Sequence, residues 1–360
     1  MTGESLVARC VHGLEPTLAE EILGLGLGTI TYIGHREVRF RARPAQARRP
    51  GRGTAELSTA DDVFLLAAQC PDPGPRKDAA AALARLADSA DSADLDGLLR
   101  PRLRHGGTGE VAGVEVSASA LGRRNFTRYD VEDAVGQALA RRLGVAHHSR
   151  RGGAAPPAGS NGWRVTLDGE RATLLLRVAD RPLHRRDYKR RSIPGTLHPP
   201  VAAAMARMAG IRPGDLVVDP CCGAGTLLIE AVRHEPQARF CGFDLAPESL
   251  QAARDNAAGL PVVLGRADAG RLPLAGGGVA RVVCNPPWGG QVAPGGLLGA
   301  SPARWWAELR RVLMPGGVAV ALLPDVAELC TAIRWGLAPV HVQRVRIAGA
   351  QAFLIRLEAP

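Results

Sequence analysis

Lysine is almost missing from this chain: Lys77 and Lys189 are the only two among 45 basic residues. Positive charge is therefore carried by arginine, whose planar fork suits phosphate oxygens. No uninterrupted apolar run of about 20 residues occurs, which argues against a membrane-spanning helix. The N-terminus carries Glu4 and Arg9 where a secretory signal would be apolar, so a cytoplasmic protein is expected. The seven cysteines are odd in number and show no C-x-x-C or Cys/His spacing. They read as reduced thiols, mostly small buried apolar residues, and no metal site is expected. No internal repeat is visible either.

What is present bounds the class. A length of 360 residues leaves room for two or three domains at about 150 residues each. A hydrophobic share of 46% with 22% charged residues is ordinary for a soluble globular chain. Of the net charge of +10, +7 lies before Thr196 and +3 from there onward. A basic first half points to an acidic polymer as partner.

Two kinds of periodicity divide the chain. Residues 5–11 alternate as a strand, Leu14 to Leu25 has helical spacing, and Ile30 to Ile33 and Glu37 to Arg41 predict two strands around Gly34. Such a β-α-β-β run makes a small α+β unit. Arg43 to Thr54 reads as a loop, Asp61 to Gln69 as an apolar segment, and Lys77 to Leu86 as helix. A strand over Val111 to Ser119 and a helix over Val131 to Leu143 follow. His148 to Gly162 is rich in Gly, Pro and Ser and predicts a mobile surface loop, and Trp163 to Val178 a hairpin around Asp168-Gly169.

Beyond the basic run His184 to Arg191 the pattern changes. Strands at Leu216–Val218, Phe240–Phe243, Val262–Leu264, Val279–Cys284 and Val318–Leu323 alternate with helices such as Val201–Met208, Thr226–Arg233, Pro247–Ala258 and Trp305–Leu313. Alternation of this kind predicts an α/β fold with a mostly parallel sheet covered on both faces.

The chemistry lies at the ends of those strands. Asp219-Pro220-Cys221-Cys222-Gly223-Ala224-Gly225-Thr226 runs from a strand through two glycines into a helix. Amides at that helix start hold a carboxylate, while Asp219 accepts from an ammonium, so the turn suits an amino-acid head group. A nucleotide phosphate would be repelled by the acid, and G-x-G-x-x-G is absent. Asp244, followed by Leu245, ends the next strand and suits two ribose hydroxyls. Asp268, followed by Ala269, comes after a third and can accept an adenine amino group. Each acid alone could merely cap a turn; three at successive strand ends make that a poorer account. Asn285-Pro286-Pro287-Trp288 then follows a fourth strand. It offers acceptors for an amine and a ring for a base to stack on, worth about 1–3 kcal/mol. No strong general base is visible.

These motifs, in this order, resemble those of Rossmann-like S-adenosylmethionine-dependent methyltransferases, and Asn-Pro-Pro-Trp is similar to the motif of enzymes that methylate amine nitrogens on planar groups. The resemblance implies S-adenosylmethionine as cofactor, with Asn285 and Pro286 accepting from the target amine and Asn285, Pro286, Pro287 and Trp288 as the catalytic set. It implies a cofactor pocket of Asp219, Cys221, Gly223, Gly225, Thr226, Asp244, Leu245, Asp268, Ala269 and Asn285. Thr196 and His198 join that pocket from Pro194-Gly195-Thr196-Leu197-His198-Pro199, which resembles a segment on the cofactor side.

In the first half, the run Ser119 to Tyr129 and the helix after it resemble the core of a THUMP domain. The whole chain thus resembles the THUMP-containing guanine-N2 methyltransferases of tRNA, with rRNA enzymes as near relatives. The implied organisation is a ferredoxin-like unit at 1–55, a THUMP RNA-binding domain at 56–183, a linker at 184–200 and a Rossmann-like methyltransferase domain at 201–360. Arg123, Arg124, Phe126 and Arg128, with Arg185, Arg186, Lys189 and Arg190 of the basic junction, are the expected RNA contacts. The expected partner is RNA, tRNA ahead of rRNA, with no membrane, metal or stable protein partner called for. Alternatives are a 23S rRNA guanine-N2 enzyme, an adenine-N6 DNA methyltransferase, for which no base-reading domain is found, and an inactive RNA-binding protein, which the intact acids and Asn285 oppose.

Overall fold

The computed structural model describes residues 4–44, 53–89, 95–287, 289 and 292–360. They divide into two compact units, one of residues 1–10 with 18–183, the other of 11–17 with 184–360. Among the described residues, the strands form two sheets.

The first sheet begins with β1 (Ser5–Arg9), followed by helix α1 (Glu15–Gly24), β2 (Gly28–Gly34) and β3 (Glu37–Ala42). Arg36 turns the β2–β3 hairpin with φ 61°. Then come β4 (Asp62–Pro71), the short helices α2 (Ala79–Ala82) and α3 (Arg85–Asp88), α4 (Leu95–Arg104), β5 (Gly113–Ala120), α5 (Arg128–Leu143), β6 (Ala146–His148), β7 (Ser160–Leu167) and β8 (Arg171–Arg177). Their order is β2-β3-β1-β4-β8-β7-β5-β6. Because β1 pairs with both β3 and β4, one sheet runs through the segments 1–55 and 56–183 that the sequence separates. Residues 45–52 of the Arg43 to Thr54 loop lie outside the described residues.

Two features of this unit differ from the sequence reading. The stretch His148 to Gly162 is not a plain loop: it ends β6, makes a 3-10 turn at Arg150–Gly152 and enters β7 at Ser160. Parallel pairing with β5 along the whole strand, from Gly113↔Ser160 to Ala120↔Leu167, draws Ser160, Asn161 and Gly162 into the ladder despite their turn-forming composition. Helix α4 was not foreseen, and it holds Pro101 in its interior, a residue that ordinarily ends a helix.

The second sheet is built from α6 (Pro199–Ala209), β9 (Leu216–Asp219), α7 (Thr226–His234), β10 (Arg239–Asp244), α8 (Pro247–Asn256), β11 (Val262–Arg266), β12 (Val279–Cys284), α9 (Gly296–Ala300), α10 (Pro302–Val312), β13 (Leu313–Leu323), α11 (Glu328–Arg334), β14 (Ala338–Ile347) and β15 (Ala350–Glu358). Its order is β11-β10-β9-β12-β13-β15-β14. The first five strands are parallel, as the alternation predicts, and β15 runs antiparallel to β13. Every residue of β12 is buried, and Trp305, Trp306 and Leu309 of α10 share a core cluster with it.

The β14–β15 hairpin has no counterpart in the sequence reading. Its two-residue turn, Ala348 at φ 49° and Gly349 at φ 86°, has the left-handed geometry that sequences usually mark with Asn-Gly or Asp-Gly. With Ala in the first position the usual signal is missing.

Candidate active site

In an open parallel sheet the ligand crevice lies where the strand order reverses. Here the chain leaves β9 outward to β10 and β11, then returns to β12 on the other side of β9. Asp219 ends β9 and Asn285 follows β12 directly. Two residues 66 positions apart in the sequence are thus carried to one crevice by strands that pair with each other.

The turn after β9 needs its glycines. Gly223 and Gly225 have φ of 51° and 79°, the left-handed region where a side chain is strained. A Cβ on Gly225 would lie 3.3 Å from that of Ala253, whereas one on Gly223 would meet nothing within 4 Å. Gly223 therefore faces open space that a ligand can enter. Gly225 caps α7, and Thr226 in its first turn has a buried hydroxyl with no hydrogen-bond partner among the described residues.

Asp219 is 2% exposed, and its carboxylate accepts from the Cys221 amide at 3.1 Å. Burial pushes its carboxyl up to about 8, against the Cys221 bond and with help from the charge of Asp244. A buried acid of this kind is poised to take a cation. Asp244 accepts from the Gly223 amide and, through its other oxygen, from the Ala246 amide, both at 2.9 Å. Asp268 likewise accepts from Gly270 at 2.8 Å and from Leu297 at 2.9 Å. Each of the three acids therefore does cap local backbone, but a carboxylate has about four acceptor positions. Room for a ligand remains on each.

Leu245 and Asp268 converge on the start of α9: a Cβ on Gly296 would come within 2.1 Å of the Asp268 carboxylate and 3.0 Å of Leu245. Ala269 is buried beside them. Cys221 packs on the cluster that holds Cys284.

Asn285 is half-buried, and its amide nitrogen lies 3.4 Å from the Gly195 carbonyl oxygen. That leaves the amide oxygen out of the contact. Pro286 is buried and Pro287 half-buried. Trp288 lies outside the described residues. The Thr196 hydroxyl donates to the Ile193 carbonyl at 2.6 Å and accepts from the Ile193 amide at 2.8 Å. It staples the turn that presents Gly195. His198 caps α6, its ring 5.4 Å from that of His184.

The expected RNA contacts fall into two classes. Arg123, Arg128, Arg185 and Arg190 are exposed, with the Arg128 guanidinium 4.7 Å above the Tyr129 ring. A cavity of about 230 Å³ opens where β5 ends and α5 begins, and Phe126 and Arg128 line it. Arg124, which also lines that cavity, and Arg186 already have carboxylate partners within the fold. Arg124 makes two 2.7 Å bonds to Asp72, the side chains only 8% and 1% exposed. Arg186 donates to the buried Glu230 at 2.9 Å. Both arginines brace the fold because a buried carboxylate must have a partner. Lys189 is half-buried, and burial holds its ammonium below the usual range.

Sequence reasoning missed Glu230 and Asn256. Ser249, Leu250, Ala252, Ala253 and Asn256 form the buried face of α8. An Asn at a core position of such a face was the available signal, since buried amides are retained where they are bonded.

Comparison with known proteins points to methyltransferases. Residues 186–352 match the family model described as UPF0020, RMKL-like, methyltransferase domain. A tRNA (guanine(6)-N2)-methyltransferase of Thermus thermophilus is 32% identical over 354 residues, covering 96% of this chain and 97% of that one. The U6 snRNA (guanine-N(2))-methyltransferase THUMPD2 of Bos taurus is 32% identical over 176 residues, 46% of this chain and 34% of the relative. The crystal structure of TrmN from Thermus thermophilus superposes with a TM-score of 0.74 at 30% identity, covering 99% of both chains.

Proposed function

The chain belongs to the RMKL-like methyltransferases, and we propose that it moves a methyl group from S-adenosylmethionine to the exocyclic N2 amine of a guanosine in structured RNA, in the acceptor stem of tRNA. The observation that carries this reading is the placement of Asp219 and Asn285 at the same ends of two paired strands, together with full-length similarity to an enzyme named for tRNA guanine-N2.

The residues fit the donor. Asp219, buried with no cationic hydrogen-bond partner among the described residues, receives the ammonium of the amino-acid portion. Open space at Gly223 and the orphaned hydroxyl of Thr226 admit its carboxylate end. Asp244 and Asp268 keep free acceptor positions for ribose hydroxyls and the adenine amine. S-adenosylmethionine supplies a methyl carbon on a sulfonium, which is open to in-line attack.

Asn285 and Pro286 do the rest by positioning. The Asn285 oxygen and the Pro286 carbonyl accept from the guanine amine and aim its nitrogen. As the amine attacks it becomes more acidic, so these acceptors gain most strength in the transition state. A paired guanine has its amine bonded to cytosine and fixed in the base stack, so the target is extruded at a cost of a few kcal/mol. The first unit acts as a THUMP-like RNA-binding element, with Arg123 and Arg128 on phosphates.

Parallel incubations of the full chain with methyl-labelled S-adenosylmethionine and bulk tRNA, rRNA or DNA test the reading, with nucleoside mass spectrometry of the products. N2-methylguanosine in tRNA is expected. Label confined to DNA, or to rRNA, would overturn the tRNA assignment.

A further inference from the structure

The segment 184–196 carries the exposed Arg185 and Arg190 and ends beside Asn285. The segment is fastened by two buried side chains with no assigned role, one through its side chains and one through its backbone. Glu230 of α7 takes the Arg186 guanidinium at 2.9 Å and the Tyr188 hydroxyl at 2.7 Å. Asn256 of α8, 3% exposed, uses all its bonding capacity. Its oxygen accepts from the Arg190 and Arg191 amides at 2.9 and 2.8 Å. Its nitrogen donates to the Arg191 carbonyl and to the Ala224 carbonyl, both at 2.9 Å. Ala224 sits between the two glycines of the donor turn. One buried amide thus joins that turn to the arginine-bearing strap.

We propose that Asn256 is a positioning residue that couples the donor turn to the strap, so that occupancy of the donor pocket and ordering of residues 186–191 favour each other. The coupling rests on the function proposed above, in which the strap meets RNA. Its physical basis is the cost of leaving unpaired the buried Ala224 carbonyl and the part-buried Arg191 amide and carbonyl. If the donor steadies Ala224, Asn256 is held, and Arg190 and Arg191 are held in turn. By linkage the effect must also run backward.

Asn256→Asp separates the two halves. A carboxylate still accepts from the Arg190 and Arg191 amides, but it turns an oxygen toward the Ala224 and Arg191 carbonyls. Calorimetry with S-adenosylhomocysteine should show affinity reduced about tenfold in Asn256→Asp, from loss of about one net hydrogen bond to the turn. Hydrogen exchange should show that the ligand protects the Arg190 and Arg191 amides in the unaltered protein and no longer does so in Asn256→Asp. Leu309→Ala, which empties a core position on α10, serves as a control of lowered Tm and should keep both the affinity and the ligand-induced protection. Ligand binding and protection unchanged in Asn256→Asp would overturn the coupling, and so would equal losses in Leu309→Ala. Failure of the unaltered protein to bind S-adenosylhomocysteine would instead overturn the donor assignment itself.

Discussion

The Gly223 amide donates to the Asp244 carboxylate at 2.9 Å, tying the open tip of the donor turn to the end of the neighbouring strand. Asp244 also holds the Ala246 amide, so its side chain shapes the pocket before any ribose reaches it. Asp244→Asn keeps one acceptor oxygen and replaces the other with a donor. Affinity for S-adenosylhomocysteine should fall at least tenfold, as a charge-assisted bond contributes about 1.5–3 kcal/mol. Calorimetry giving an unchanged Kd would show that Asp244 shapes nothing the ligand uses.

Asp219 should make donor binding a proton-releasing event. Burial holds its carboxyl at about 8 in the free protein, so at pH 6 it is protonated. An ammonium placed against it favours the carboxylate, and about one proton should leave on binding. Calorimetry at pH 6 in buffers of different ionisation heat measures that number, and Asp219→Asn should bring it to zero. The same raised value means that Asp219 contributes to stability at low pH. This contribution is lost as pH rises from the ordinary carboxyl value toward about 8.

Asn285→Ala should lower the transfer rate by about two to three orders of magnitude, the range seen when a positioned polar partner of a transition state is removed. Because Asp219, Asp244 and the glycine turn remain, S-adenosylhomocysteine should still bind. A rate within tenfold of the unaltered chain would remove Asn285 from the chemistry.

The two classes of arginine should separate by experiment. Replacing Arg123 and Arg128 with Ala should leave Tm near its original value and flatten the salt dependence of RNA binding by roughly one unit per arginine. Arg124→Ala should instead destabilise the fold by about 1–3 kcal/mol, since it leaves Asp72 buried with backbone donors alone. Those donors are the Gly74 and Gly169 amides. Equal Tm losses in the two variants would erase the distinction.

Much of this was legible before folding. The parallel strands β9 to β13 announced themselves by alternation with helices, and β12 fell on the expected residues, Val279–Cys284. Asp219, Asp244, Asp268 and Asn285 stood out because each ends or follows a strand. The β14–β15 hairpin was hidden by a turn with Ala in a left-handed position, and the start of β7 by residues that only a neighbouring strand makes extended. The pairing of Arg124 with Asp72 was not legible because Asp72 lies 52 positions away, beyond any local pattern.

The sequence alone determined the α/β class, the glycine turn and the order of acids and amide along the strands, because each follows from local backbone preference and hydrophobic period. Only the tertiary structure decided which of those groups meet and which charges are already taken. Strand order placed Asp219 and Asn285 at the same edge of the sheet, and folding gave Arg124 and Arg186 carboxylate partners. Partner choice in a folded chain depends on distance in space and on desolvation, and neither is written in sequence separation.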